Sequence, residues 1–255
     1  MTENAGEPFI SDLSPSEFLL TRAAGFAPSG LVFGCSVFHA GTRPRRRSQS
    51  SEVETLSQAL YSARQDAVRR MEDEAAALDA SGVVGVRLTL STSDWTRKSV
   101  DFIAVGTAVT ALDGSDWRIS DGTPFTSDLS GRDLWTLTQA GYRPLGFVLG
   151  TCVYHVGHRR VATALRQTGR SVELNAQTQA LYTARELAMT RMQEEGARLG
   201  ASGMIGSRIS ESSQVWRNRF IEFLAIGTAI APLPFQATSG TPDRADPILA
   251  LGLDR

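Results

Sequence analysis

Hydrophobic positions along this chain follow two periods, and each period recurs. Val53, Leu56, Leu60, Ala63, Ala67, Met71, Ala75 and Leu78 fall at three- and four-residue steps, the spacing of one helix face, and Leu174, Leu181, Ala184, Ala188, Met192 and Leu199 repeat the pattern. The stripe is narrow and rich in alanine, so the helix that carries it can lie close against a sheet or another helix. Ahead of it, Leu31 to His39 is β-branched and aromatic with little polar character, the pattern of a buried strand, and its counterpart runs from Gly146 to His155. Gly34 in mid-strand marks a bulge or a close approach. Two further strands follow each long helix, at 83–91 and 100–110 and again at 204–211 and 219–230, joined by polar turns that hold Trp95 and Trp216. Ser14-Pro15-Ser16-Glu17 supplies an N-cap hydroxyl, a first-turn proline and the acid of a capping box, and Gly25 supplies a stop. Short helices are therefore expected at 15–24 and 131–140.

These elements come twice because the chain is duplicated. Pro8-Phe9-Ile10-Ser11-Asp12-Leu13-Ser14 recurs as Pro124-Phe125-Thr126-Ser127-Asp128-Leu129-Ser130. Val37-Phe38-His39 matches Val153-Tyr154-His155, Gln58 to Arg64 matches Gln179 to Arg185, and Gly106-Thr107-Ala108 matches Gly227-Thr228-Ala229. The spacing between the copies changes once, in the loop after the first strand, where the second copy is longer by about five residues. The expected fold class is α+β, with two tandem α-β-α-β-β domains at 6–110 and 122–231, a short linker between them and a disordered tail at 232–255. Each domain would be a three-stranded antiparallel sheet packed on one long helix. So thin a unit has open strand edges, which proteins cover or pair with another subunit, and self-assembly is the expectation.

Composition narrows the classes. The chain has 255 residues, 42% of them hydrophobic and 21% charged, and a net charge of -1, so bulk electrostatics gives no pull toward nucleic acid or anionic membrane. Two cysteines without a ladder of pairs fit a reducing compartment. With no basic-then-apolar leader and no apolar run of the roughly 18 residues a membrane span needs, the sequence reads as cytoplasmic.

The order helix, Ala-Ser-Gly, strand, turn, strand, Gly-Thr-Ala resembles the YbjQ-like family, whose members carry a heavy-metal-binding label. The matching stretches are Leu60 to Arg64, Gly82 to Gly85 and Gly106 to Ala108, with Leu181, Gly206 and Gly227 to Ala229 in the second copy. The chain departs from the family in its leading Pro-Phe-x-Ser-Asp-Leu-Ser helix segment and in being doubled. The resemblance implies a dodecin-like β-α-β-β domain that assembles as a five-fold ring. For a two-domain chain this becomes a homopentamer of ten domains, most simply two stacked rings, or else a ring with an even number of domains.

Candidate chemistry is thin. A metal reading rests on Cys35 with His39 and on Cys152 with His155 and His158, but zinc-like ions want three or four ligands converging at about 2.0 to 2.3 Å, and neither copy offers them in the usual pairs. Cys35 and His39 share a strand face, whereas Cys152 and His155 point to opposite faces, and the two thiols stand one position apart in the repeat. No cofactor is specified, and a divalent metal is the one such ligand the residues suggest. Basic loops hold Arg45, Arg46 and Arg47 in one copy and Arg159 and Arg160 in the other; repeated around a ring they would form a rim for phosphate, nucleic acid or lipid. Trp95 and Trp216 suit an interface, and Arg64 and Arg185 suit ion pairs with Asp101 and Glu222 or contacts to a neighbour. The end of the tail, Pro247 to Arg255, is apolar enough to dock on a protein partner. No nucleophile with a base and no phosphate loop is present. The sequence therefore reads as a non-enzymatic oligomeric scaffold, with metal binding, an anionic ligand at a basic rim, and an interface site where Arg64, Arg185, His39 and His155 converge as the other readings.

Overall fold

The computed structural model describes residues 9–39, 51–92, 99–155, 175–212 and 220–233. In chain order these form α1 (Pro15–Ala23), β1 (Phe26–His39), β2 (Ser51–Glu52), α2 (Glu54–Ala77), β3 (Gly82–Thr92), β4 (Ser99–Ala111), β5 (Phe125–Thr126), α3 (Gly131–Gln139), β6 (Tyr142–His155), α4 (Asn175–Arg198), β7 (Gly203–Ser212) and β8 (Phe220–Pro232). The architecture is mixed α+β, with four helices and two sheets among the described residues.

Local chemistry fixes the ends of the short helices. At α1 the Ser14 hydroxyl accepts from the Glu17 amide while the Glu17 carboxylate accepts from the Ser14 amide at 2.9 Å, closing the capping box. Gly25 ends it with φ of +92°, a conformation that costs glycine nothing. Along β1 the mid-strand Gly34 is a close approach: a Cβ there would stand 2.0 Å from the Ala67 carbonyl oxygen of α2. The second copy repeats this at Gly150, 2.0 Å from the Ala188 oxygen of α4. Narrow alanine stripes on the helices and glycine on the strands thus serve one purpose, to bring backbone against backbone. On β1 and β6 the register breaks lie instead between Pro28 and Gly30 and between Pro144 and Gly146, and β3 and β7 break between Val84 and Arg87 and between Ile205 and Arg208.

Each sheet has four strands rather than the three expected, because each copy lends a strand to the other. The orders are β1-β4-β3-β5 and β2-β6-β8-β7. Within each copy the pairings β1–β4–β3 and β6–β8–β7 are antiparallel. The fourth strand crosses over. Phe125–Thr126, which opens the second copy, runs parallel to Gly82–Val83 of the first, and Ser51–Glu52 of the first copy pairs antiparallel with Tyr154–His155 of the second. Unpaired backbone at a sheet edge is costly to leave dry, and each copy covers one edge of its neighbour. Among the described residues β1 and β7 are left as the long edge strands, with the two-residue β5 and β2 at the opposite edges.

The core is continuous across the copies. α2 lays one face on its own sheet and another on β6, so that Leu60, Ala63 and Val68 share a buried cluster with Phe147, Leu149 and Val153. A smaller cluster forms where Phe125 stands edge-on to Phe26 at 5.6 Å between ring centres, with Trp117 of the linker closing it 4.9 Å from Phe26. Residues 112–124 therefore act as packing surface as well as linker.

Candidate functional site at the junction of the two copies

The most heavily built polar site lies where α2 meets the second sheet. Arg64 rises from the buried face of α2, and its Nη2 stands 2.6 Å from Glu222 Oε1 of β8, with side-chain exposures of 3% and 2%. Its Nη1 donates to Thr151 Oγ1 of β6 at 3.0 Å. The guanidinium lies 4.7 Å from the centre of the Phe102 ring, a cation–π contact from its own copy. Arg64 thus pairs with the acid of the other copy, not with Asp101, its counterpart in the first. Arg185, the equivalent of Arg64, is exposed, and among the described residues it has no ion-pair partner; Asp101 is half-buried with its Oδ1 shielded from water and unbonded.

A cleft of about 640 Å³ opens between α2 and the C-terminal end of α4, with the linker along one side. Two carboxyls line it. Burial, above all else, pushes Glu72 up to about 7 and Glu195 up to about 6, against an ordinary value of 4.5. Glu72 accepts from Thr126 Oγ1 at 3.3 Å, and Glu195 accepts from the Leu149 amide at 2.8 Å and from Gln65 across the copies. Gln65 Nε2 and Arg198 Nη2 reach the Tyr61 hydroxyl at 3.2 and 3.4 Å. Tyr61, Gln65, Glu195 and Arg198 join α2 to α4 and the second sheet, Glu72 ties α2 to β5, and none of these groups is a nucleophile poised beside a base. Sequence reading passed over Glu72 and Glu195. A signal existed for the second, because the repeat places Glu74 opposite Glu195 and each accepts a strand amide, Phe33 N to Glu74 Oε2 at 2.6 Å in the first copy.

The described metal candidates do not converge. Cys35 and His39 are exposed on one face of β1, whereas Cys152 is buried on the inner face of β6. His155 is buried on the opposite face, packed 5.1 Å from the Phe220 ring. Burial pushes the Cys152 thiol up to about 12, the reverse of what a thiolate ligand needs. Among the described residues no three His, Cys, Asp or Glu side chains gather to hold an ion. The described donors by themselves do not form a heavy-metal centre. His158, Arg45, Arg46, Arg47, Arg159, Arg160, Trp95, Trp216 and residues 234–255 lie outside the described residues. No described helix is long and apolar enough to cross a membrane.

Two α+β copies built from the same motif, each completing the other's sheet, define a repeat protein of a single family. The family model described as "Putative heavy-metal-binding" matches residues 20–112 and again 138–232, and the chain belongs to that YbjQ-like family in tandem form. Among its relatives, the encapsulin nanocompartment protein Rv1762c of Mycobacterium tuberculosis is 44% identical over 229 residues, covering 89% of this chain and 87% of that protein. The UPF0145 protein of Thermotoga maritima is 39% identical over 95 residues, 35% of this chain and 86% of that protein. A UPF0145 protein of Halobacterium salinarum is 34% identical over 91 residues, 36% of this chain and 86% of its own. A single copy thus accounts for most of the shorter relatives, and the doubled arrangement spans most of the longer one.

Proposed function

We propose that this protein is a non-enzymatic, self-assembling scaffold. The observation that carries the reading is the exchange of edge strands between the copies, which among the described residues leaves β1 and β7 as long edge strands without a strand partner on one side, of the same kind that β5 and β2 cover inside the chain. Side chains of α2 cap part of the outer edge of the 14-residue β1, Glu74 at the Phe33 amide and Arg70 at the Cys35 carbonyl, and a further copy is the most economical cover for the rest. The name of the M. tuberculosis relative, a nanocompartment protein, speaks for assembly in the same direction. The polar groups at the junction support it too, since Arg64, Glu222, Gln65 and Glu195 are consumed in joining copies. Light scattering of purified full-length protein tests the reading: the mass expected is a discrete multiple of 27.5 kDa, five chains being the expectation from the family resemblance, and a monodisperse monomer overturns it.

A heavy-metal role, which the family description names, has only Cys35 and His39 as co-facial donors among the described residues. Elemental analysis of untagged protein is expected to give less than one metal per chain, and a stoichiometric ion would reinstate that role.

A further inference from the structure

The junction inside the chain is half of a repeating contact, and the unmatched halves remain on the surface. β6 and β1 are the same strand in the two copies, with Val37 opposite Asp101 in the first sheet and Val153 opposite Glu222 in the second. On β6 the face that meets α2 is dry: Phe147 is 4% exposed, Leu149 0% and Val153 0%. The matching residues of β1 are bare, with Leu31 at 39%, Phe33 at 47% and Val37 at 68%. The same holds for the helices. Arg64 is buried on α2, while Arg185 and Tyr182 of α4 are exposed. Among the described residues, an arginine without an acid on one end of the molecule therefore matches a shielded acid without a base, Asp101, on the other.

A separate set of residues repeats the asymmetry. Phe125 is fully buried between Phe26 and Gly82, where a Cβ on the glycine would come within 2.3 Å of its ring. The equivalent glycine on β7, Gly203, would meet only Ile230 at 4.0 Å, and Tyr142, the equivalent of Phe26, is partly bare. The matching aromatic, Phe9, stands exposed at the start of the first copy beside the exposed Ile10. Both mismatches run the same way along the chain. Among the described residues nothing sits on α4 and β7 of the second copy, and nothing covers β1 of the first copy or receives Phe9.

We infer that α4 of one chain seats on the bare face of β1 of a second copy of this chain, with Arg185 paired to Asp101 as Arg64 is paired to Glu222, and Phe9 of that second copy docked over Gly203. The inference rests on the scaffold reading and specifies its contact. Because the two surfaces differ, the contact is head-to-tail, and it strings chains so that first and second copies alternate. α2 and β6 are already engaged with each other, so stacked rings that each contain one kind of copy have no free surface of this type. A closed assembly then holds an even number of domains in one alternating circuit. A buried ion pair of this kind acts mainly as a specificity element, because either charge left unpaired in the contact is costly.

The test is the mass of full-length variants, with circular dichroism as the check on folding. Val37→Glu alters a side chain open to solvent in the single chain, and Asp101→Arg sets like charges against each other at the contact. Each is expected to lower the mass to 27.5 kDa, and the exchange Asp101→Arg with Arg185→Asp is expected to restore the wild-type mass. An assembled wild type whose mass survives both Val37→Glu and Asp101→Arg overturns this contact while leaving the scaffold reading intact. Failure of the charge exchange to restore assembly, when both single variants dissociate, overturns the Arg185–Asp101 pairing. A wild type that is itself monomeric overturns both readings together.

Discussion

Arg64 is held by a carboxylate, a hydroxyl and an aromatic ring drawn from both copies, and its environment is nearly dry. Removing one member of such a pair leaves the other charge without solvent or partner, a loss of about 3–5 kcal/mol, whereas an apolar pair of similar volume can be close to neutral. Arg64→Ala is therefore expected to be strongly destabilising in guanidinium titrations, and Arg64→Met with Glu222→Leu to recover most of the loss. A double variant no more stable than the single one would contradict this account. That arginine 64 and glutamate 222 bear opposite charge in core-like sequence was legible beforehand. Their pairing across copies was not, because the repeat offers Asp101 as an equally plausible partner, and only the packing of α2 on β6 separates the two.

Among elements, the long helices and the six main strands follow from periodicity, and their observed limits differ from the expected ones by a few residues. The exceptions are the starts of β1 and β6, which extend back to Phe26 and Tyr142 past a proline. β2 and β5 could not be read, since two residues carry no period and they form only because another copy's edge lies alongside. The seam between α2 and α4 has its own signature in pH. Glu72 keeps its proton up to about 7 in the folded protein, whereas the unfolded chain releases it near 4.5. Between those values the folded state binds more protons than the unfolded one, so stability falls as pH rises through the window and levels off above it. Melting temperatures at pH 5 are expected to exceed those at pH 8, and Glu72→Gln to flatten part of that difference, the remainder belonging to Glu195, which shifts in the same direction. An unchanged profile in Glu72→Gln would show that this carboxyl does not titrate in that range.

At the scale of the whole molecule, the two copies share one cluster that runs from Val32 through Leu60 and Met71 to Phe147 and Val153. Neither copy can lose its fold without uncovering the other, and calorimetry is expected to show one cooperative transition with equal calorimetric and van't Hoff enthalpies. Two resolved transitions would mean that the copies are independent domains joined by a linker. The sequence alone determined the duplication, the α+β class and the identity of every long element, because hydrophobic period, capping residues and glycine stops are local properties that each copy states for itself. It also raised the need for assembly, since thin sheets imply open edges. Tertiary structure decided which edges are open. The repeated motifs make Arg64 and Arg185, β6 and β1, or Phe125 and Phe9 indistinguishable in sequence terms, and only the placement of one copy on the other buries one member of each pair and leaves its twin exposed. That difference comes from non-local contact, which has no period and no spacing to read.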